Sequence, residues 1–179
     1  EYLIKSGHTR IGFIGGIYHS VGRERFKGFK DALAKYGLSA DSLPVYVSCQ
    51  LRDRENDIDE VVDSFFLEHW LTSIVAYNSL SANAVVRKFA GYKPSSNLPF
   101  EVIGFDMLRS TAGKDICVYS FHQAHDVIGA MALDLLVQLI EDGGADVLQH
   151  RVKADFAPLS PLAKHYMSTR QLSGEFAMV

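Results

Sequence analysis

Hydrophobic residues in this chain alternate between short unbroken runs and longer stretches in which they recur every three or four positions. A short unbroken apolar run is typical of a strand buried on both faces, whereas the wider spacing is typical of a helix with one buried face. The runs predict strands over 11–14, 44–47, 73–76, 98–105 and 116–121, with a last strand within 147–152.

The spaced apolar pattern predicts helices between these strands. They are expected over about 22–36, 56–66, 79–89 and 124–141, after the end of a helix over 1–7. Strands that alternate with helices indicate right-handed βαβ units. The sequence therefore predicts an α/β fold with three layers, a mainly parallel sheet between two layers of helices. The tail from Ala157, which carries Pro158 and Pro161, is expected to be irregular.

Composition narrows the function classes. The chain has 179 residues, enough for one domain with a real core, and a net charge of −3, which does not favour nucleic acid or an anionic membrane as a direct partner. Cys49 and Cys117 lie far apart in apolar surroundings, which favours free thiols and a cytoplasmic protein but leaves a disulfide open. No apolar run is long enough to span a membrane, and no signal peptide opens the chain. Because it begins with Glu1 rather than Met, we expect it to be part of a longer protein.

The stretch from Leu98 to Asp106 (LPFEVIGFD) is an apolar strand that ends in a glycine, an aromatic residue and a carboxylate. Asp106 is thereby placed just beyond the carboxyl end of the strand, at the edge where open α/β sheets bind ligands. An aspartate after a strand also often caps the turn that follows. The residue alone leaves both interpretations open.

Three other polar residues follow predicted strands in the same way: Arg25, Asn78 and Gln123. Arg25 lies in the first turn of a helix, where the helix dipole disfavours a cation, and such a broken local rule is expected at functional sites. Forked donors and paired acceptors suit the vicinal hydroxyls of a sugar or a similar polar ligand.

The sequence gives less support to nucleotide binding, to hydrolase catalysis and to a metal site. Residues 12–16 (GFIGG) do not form the G-x-G-x-x-G dinucleotide fingerprint, and no Walker or G-x-S-x-G motif occurs. His122 and His125 are three positions apart, but the sequence around them favours a capping or cleft role over a metal site. We therefore expect no enzyme activity, no cofactor and no metal.

Several segments together resemble the lac repressor (LacI/GalR) family of transcriptional regulators. They are residues 7–16 (GHTRIGFIGG), 25–29 (RFKGF), 99–106 (PFEVIGFD) and 120–123 (SFHQ) followed by Gly129, and their order and spacing agree over most of the chain. The resemblance implies a periplasmic-binding-protein-like (type I) sensor domain with two lobes and a small effector in the cleft between them.

The resemblance also implies a division of the chain and a set of partners. Residues 1–115 and 143–179 would form the C-terminal lobe, and 116–142 would be a crossover that belongs to the N-terminal lobe. The DNA-binding headpiece would lie outside this sequence, so DNA would be bound only through it. The family forms homodimers through this lobe, in regions that would include the helix after Ser79 and the loop 110–114.

Carried over by position, the resemblance assigns ligand contacts to Arg25, Asn78, Asp106, Gln123 and His125. The Asn-Asp pair of the family reads Asn78-Ser79 here, so one acceptor is missing. A sugar is the expected effector, with a nucleobase or another polar metabolite as alternatives. The competing interpretation of the whole chain is a lobe of an extracytoplasmic sugar-binding protein that feeds a transporter.

Overall fold

The computed structural model describes residues 1–40, 43, 45–48, 60, 62–63, 71–90, 97–106, 115–141 and 150–170. Within these ranges the strands form one six-stranded sheet. The strands are β1 (Ile11–Gly16), β2 (Val45–Ser48), β3 (Ser73–Ala76), β4 (Phe100–Phe105), β5 (Ile116–His122) and β6 (Asp155–Pro158). The helices are α1 (Tyr2–Lys5), α2 (Ser20–Lys35), α3 (Ser79–Lys88), α4 (His125–Glu141) and α5 (Pro161–Thr169).

The order of strands across the sheet is β2-β1-β3-β4-β5-β6. Neighbours from β2 to β5 are parallel, and β6 runs antiparallel to β5 at one edge. The mainly parallel sheet predicted from the sequence is thus confirmed. Chain order reverses at β1, and such a reversal creates a crevice at the carboxyl ends of the strands.

Hydrophobic clusters cover both faces of the sheet, as a three-layer fold requires. On one face α3 packs through Val85, and its C-cap residue Phe89 stacks its ring on Phe100 at 4.1 Å between centroids. On the other face α1, α2 and α5 contribute Leu3, Leu33 and Ala163 to a second cluster.

The C-terminal part differs from the sequence prediction. Among residues 147–152, those described (150–152) form no strand, and the last strand is β6. The tail expected to be irregular contains β6 and α5. Pro158 is tolerated because β6 is an edge strand, and Pro161 begins a helix whose N-cap is Ser160. The expectation of an irregular tail is therefore wrong, because its two prolines lie in an edge strand and at the start of a helix.

The segment predicted as a crossover, 116–142, begins with a strand of this sheet and continues into a helix. β5 is in register with β4 from Ile116 to Phe121, so this strand belongs to the same sheet as β1–β4. Among the described helices, α4 is the one in which no residue is buried, and its Leu133, Leu136 and Ile140 are each more than half exposed.

Parts of several predictions lie outside the described residues. They are most of the helix 56–66, Cys49, the loop 110–114 and the helix end at 142–144. Of the helix, Val62 is described as helical and is buried in the same cluster as Phe89. Cys117 is a buried free thiol.

Near the amino ends of the strands lies a buried charged cluster centred on Glu101. This side chain is fully buried in β4, and its Oε1 accepts from Nη1 of Arg170 at 2.6 Å. The Nε2 of His8 lies 3.5 Å from the same oxygen, and its Nδ1 lies 3.0 Å from the hydroxyl of Thr72. The cluster joins the segment before β1 and the end of α5 to the centre of the sheet.

Candidate functional site

The carboxyl ends of β1, β3, β4 and β5 meet at one edge of the sheet because these strands are parallel neighbours. Arg25 lies in the first turns of α2 after β1, and Asn78 follows β3 directly. Asp106 and Gln123 follow β4 and β5. The edge predicted to carry the site therefore carries all four residues.

Asp106 is the centre of this group. Its backbone has φ of +55°, a left-handed conformation that aspartate tolerates better than most residues. Its two carboxylate oxygens accept from the backbone N–H of Gln123 at 3.0 Å and from Nε2 of Gln123 at 2.6 Å. Its own N–H donates to the carbonyl of Phe121 at 2.8 Å. Asp106 thus joins the ends of β4 and β5, while its side chain stays 31% exposed.

Arg25 faces Asp106 across a short gap. Its Nη1 donates to the carbonyl of Tyr77 at 2.6 Å, and its guanidinium lies over the ring of Phe105 at 3.9 Å. Its Nη2 is 4.0 Å from Oδ2 of Asp106, which is beyond hydrogen-bond distance. Burial lowers the pKa of Arg25, and the negative charge of Asp106 opposes that shift. The guanidinium is therefore held in place by a carbonyl and a ring, with its charge directed towards the carboxylate.

His125 approaches Asp106 from the start of α4. Its Nε2 is 3.6 Å from Oδ1 of Asp106, and its side chain is 70% exposed. Three of the predicted ligand contacts, Arg25, Gln123 and His125, thus surround Asp106 in the structure.

Asn78 makes its described contact with the backbone at the start of α3 and not with Asp106. Its Oδ1 accepts from the backbone N–H of Ser81 at 2.8 Å, so Asn78 is the N-cap of α3. The two serines that follow, Ser79 and Ser81, could each begin a helix by their residue type, but neither is the N-cap here. The asparagine begins the helix because its short side chain reaches the N–H three residues on.

Two aromatic residues that shape the site were missed. Phe105 supports the guanidinium of Arg25, and Tyr77 provides the carbonyl that binds it. Each precedes a predicted site residue, Asp106 and Asn78 respectively, so proximity to these residues was the available signal. Every residue has a backbone carbonyl, so the sequence could not predict that the carbonyl of Tyr77 would bind Arg25.

Two other kinds of feature, a metal site and a membrane-spanning helix, were sought among the described residues. No group of three or more His, Cys, Asp or Glu side chains among them could hold a metal ion. A search of those same residues also finds no helix with both the length and the apolar character to cross a membrane.

Comparison with known proteins matches residues 1–156 to the periplasmic binding protein-like domain. Among curated proteins, the chain is 24% identical over 145 residues to the HTH-type transcriptional repressor PurR of Photobacterium profundum, covering 79% of this chain and 42% of that protein. It is 27% identical over 144 residues to the ribose operon repressor of Escherichia coli K12, covering 78% and 42%. The chain thus spans less than half the length of these relatives.

Solved structures agree on the fold. The complex of the transcriptional regulator CelR with cellobiose superimposes with a TM-score of 0.69 at 20% identity, over 89% of this chain and 49% of that one. A LacI family regulator from Enterococcus faecium with bound ribose gives 0.68 at 19% identity, over 89% and 59%. The family match covers most of the chain, and the repressors and regulators agree with the resemblance drawn from the sequence. This chain belongs to the periplasmic binding protein-like domain family.

Proposed function

We propose that this chain is part of the effector-sensing and dimerisation region of a LacI-type transcriptional regulator and binds a small polar ligand, a sugar. The observation that carries the proposal is the pair of Arg25 and Asp106, held 4.0 Å apart and partly exposed at the carboxyl edge of the sheet. The relatives and the regulator structures support the regulatory role, and cellobiose and ribose bound to two of those regulators support the ligand class.

The gap between Arg25 and Asp106 fits a hydroxyl group. A hydroxyl can accept from a guanidinium and donate to a carboxylate at the same time. His125 and the amide of Gln123, both next to the same carboxylate, can engage a neighbouring hydroxyl. Two adjacent hydroxyls are the polar edge of a sugar, and charge-assisted bonds of this kind are the stronger ones. Asn78 would contribute its amide from the neighbouring strand end.

A second lobe would close over this edge. The exposed apolar residues of α4 support its placement in that lobe, since an apolar face of this size is rarely left in water. Ile128, Met131 and Leu135 of α4 form a groove with Val152, about 470 Å³ in volume, that further chain of the second lobe would fill. Closure around the ligand would change the relative orientation of the lobes, and the change would reach DNA-binding headpieces in a homodimer.

The remaining assignments follow from the same proposal. The curated relatives are transcriptional repressors rather than enzymes, which supports a role without catalysis and a cytoplasmic location. They give no support to the alternative of a transporter lobe.

A thermal-shift screen of the intact protein tests this function. The panel contains ribose, cellobiose, lactose, sugar phosphates and nucleobases. A ligand at 100 times its dissociation constant stabilises the protein by about 2.7 kcal/mol. The Asp115→Asn variant, which alters an exposed carboxylate before β5, should respond as the wild type does. Stabilisation by a sugar, with a change in DNA affinity in a mobility-shift assay, supports the proposal. A folded protein that responds to no member of the panel contradicts it.

A further inference from the structure

His19, the residue before α2, caps this helix with a ring nitrogen that can take up a proton. Its backbone is extended, with φ of −123° and ψ of 165°, and its Nδ1 accepts from the backbone N–H of Gly22 at 3.0 Å. A ring nitrogen accepts a hydrogen bond only while it carries no proton, so this cap requires neutral His19 with its hydrogen on Nε2. The side-chain caps of α3 and α5, Asn78 and Ser160, use oxygens that do not titrate.

The charges on α2 itself oppose a proton on the ring of His19. The amino end of a helix carries partial positive charge, and the first turn of α2 contains no acidic residue to offset it. Arg23 adds a cation there, with its Nη1 bonded to the carbonyl of Ile17 at 3.1 Å, and Arg25 follows two residues later. Glu24, between the two arginines, is exposed to solvent.

The groups that face His19 from other segments are uncharged phenols. The ring of Tyr18, in the same loop, lies 4.5 Å from that of His19 between centroids, and the ring of Tyr77, after β3, lies 5.9 Å away. Within the described ranges, the histidines with a carboxylate oxygen at ion-pair distance are His8 and His125. A proton on His19 would therefore remove the acceptor of the cap and gain no carboxylate in return.

α2 connects this cap to the candidate site. Gly22, which donates to His19, packs directly on the end of β1, since a Cβ at position 22 would collide with the carbonyl oxygen of Gly16. Arg25 lies three residues further along the helix, with its Nη2 4.0 Å from Oδ2 of Asp106. Loss of the cap leaves an N–H of the first turn without its acceptor and loosens that turn on β1. The position from which Arg25 faces Asp106 then becomes less well defined.

We propose that His19 is a positioning residue that holds the start of α2, and with it Arg25, ready for ligand binding only while its ring is neutral. Uptake of a proton from solvent onto Nδ1 breaks the cap, so acidification weakens binding. This inference rests on the proposed function and adds a regulation of the same site by pH. It requires no contact between His19 and the ligand.

The first measurement uses the intact protein without ligand. Thermal unfolding is compared at about pH 8 and about pH 5.5, a range in which histidines ionise. Asparagine caps with an oxygen at both pH values, so on acidification the midpoint of wild type should fall by roughly 2–4 °C more than that of His19→Asn. His165→Asn, which removes an exposed histidine of α5, is the matched control and should respond as the wild type does. The effects of His8 and His125 are common to all three proteins and cancel in the comparison.

The second measurement is calorimetry with D-ribose and cellobiose at the same two pH values. Between them, the affinity of wild type for a sugar that binds should fall about three- to tenfold more than that of His19→Asn. His19→Ala lacks the cap at both pH values, so its affinity should lie below that of wild type at about pH 8 and should fall no more on acidification than that of His19→Asn.

The outcomes separate this inference from the function on which it rests. An equal response of unfolding to pH in wild type and His19→Asn overturns the pH-sensitive cap, whatever the affinities show. A difference in unfolding with an equal change in sugar affinity overturns the link from the cap to Arg25 and leaves the proposed function intact. A wild type that binds neither sugar at about pH 8 contradicts the proposed function and the role of His19 in binding, while the unfolding comparison still decides whether the cap responds to pH.

Discussion

The amino and carboxyl ends of the strands, here called the amino edge and the carboxyl edge, each carry a carboxylate, an arginine and a histidine. The two groups differ in the exposure of the carboxylate and in its distance from the arginine. At the amino edge the carboxylate is 0% exposed and lies 2.6 Å from an arginine nitrogen. At the carboxyl edge the carboxylate is 31% exposed and its arginine is 4.0 Å away. The amino-edge cluster is Glu101 with Arg170 and His8, and the carboxyl-edge cluster is Asp106 with Arg25 and His125.

The difference separates a structural cluster from a binding site. Glu101 and Arg170 are in direct contact at hydrogen-bond distance, so each charge is compensated by the other and the pair leaves no gap between them. Arg25 and Asp106 are each fixed by other groups, Arg25 by a carbonyl and Asp106 by Gln123, and therefore do not need to collapse onto each other. The gap that results is what a ligand hydroxyl can use.

The largest effect is expected from breaking the amino-edge pair. Arg170→Met removes the partner of a fully buried carboxylate, and an uncompensated buried charge costs about 3–5 kcal/mol. Urea unfolding of the intact protein should show this loss in the free energy of unfolding.

A double variant sharpens the result. Glu101→Met combined with Arg170→Met removes both charges and should recover most of the stability, since apolar replacement of both members of a buried pair is often neutral. If Arg170→Met alone costs less than about 1 kcal/mol, the amino-edge pair does not differ from an ordinary surface pair and the comparison fails.

The second largest effect is expected at the carboxyl edge, where a change at Asp106 should lower the affinity for the ligand. Asp106→Asn removes the charge but keeps a residue that tolerates φ of +55°, which alanine would not. The affinity for the sugar should fall by about 1.5–3 kcal/mol, roughly 10- to 150-fold, while the free energy of unfolding changes by less than about 1 kcal/mol. Calorimetry and urea unfolding on the same variant measure both. A large loss of stability with unchanged affinity would make Asp106 a structural link between β4 and β5 only.

A third test concerns Cys117, which lies beside Glu101 in the sheet. Burial, with a smaller contribution from Glu101, raises the pKa of this thiol from 9.0 to about 12. The thiol is protonated in the folded protein and ionises on unfolding once the pH exceeds 9. Its contribution to stability is therefore complete below pH 9 and is lost between pH 9 and about 12, at about 1.4 kcal/mol per pH unit.

The measurement is the free energy of unfolding at pH 8, 9 and 10 in wild type and Cys117→Ala. The wild type should lose stability more steeply between pH 9 and 10 than the variant does. If the free energy of unfolding falls equally with pH in the two proteins, the pKa of Cys117 is not raised, and water reaches the thiol in the folded protein.

The elements that the sequence predicted well are those whose signal is local. Unbroken apolar runs identified β1, β3, β4 and β5, and helical spacing identified α2, α3 and α4. The strand that was displaced, β6, is short, proline-ended and antiparallel, so its partner and not its composition defines it. The charged amino-edge cluster was not predicted at all, because Glu101 and Arg170 are 69 positions apart and neither is unusual in its own segment.

The same limit applies within the candidate site. Asp106 and Gln123 were found from their positions after strands, but the sequence could not show that both oxygens of Asp106 bind Gln123. Nor could it show that a carbonyl and a ring hold Arg25, since these contacts join β3, β4 and α2 only after folding.

The smallest effect separates the two roles assigned to Asn78. Asn78→Ala removes the N-cap of α3 and should cost about 1 kcal/mol in the free energy of unfolding. Asn78→Asp keeps an oxygen for the cap and should preserve stability, but it replaces the amide donor with a carboxylate oxygen. If the amide donates to the sugar, as proposed, Asn78→Asp should weaken binding while unfolding as the wild type does. If both properties are unchanged, Asn78 is a cap alone, and ligand recognition at this edge is confined to the residues around Asp106.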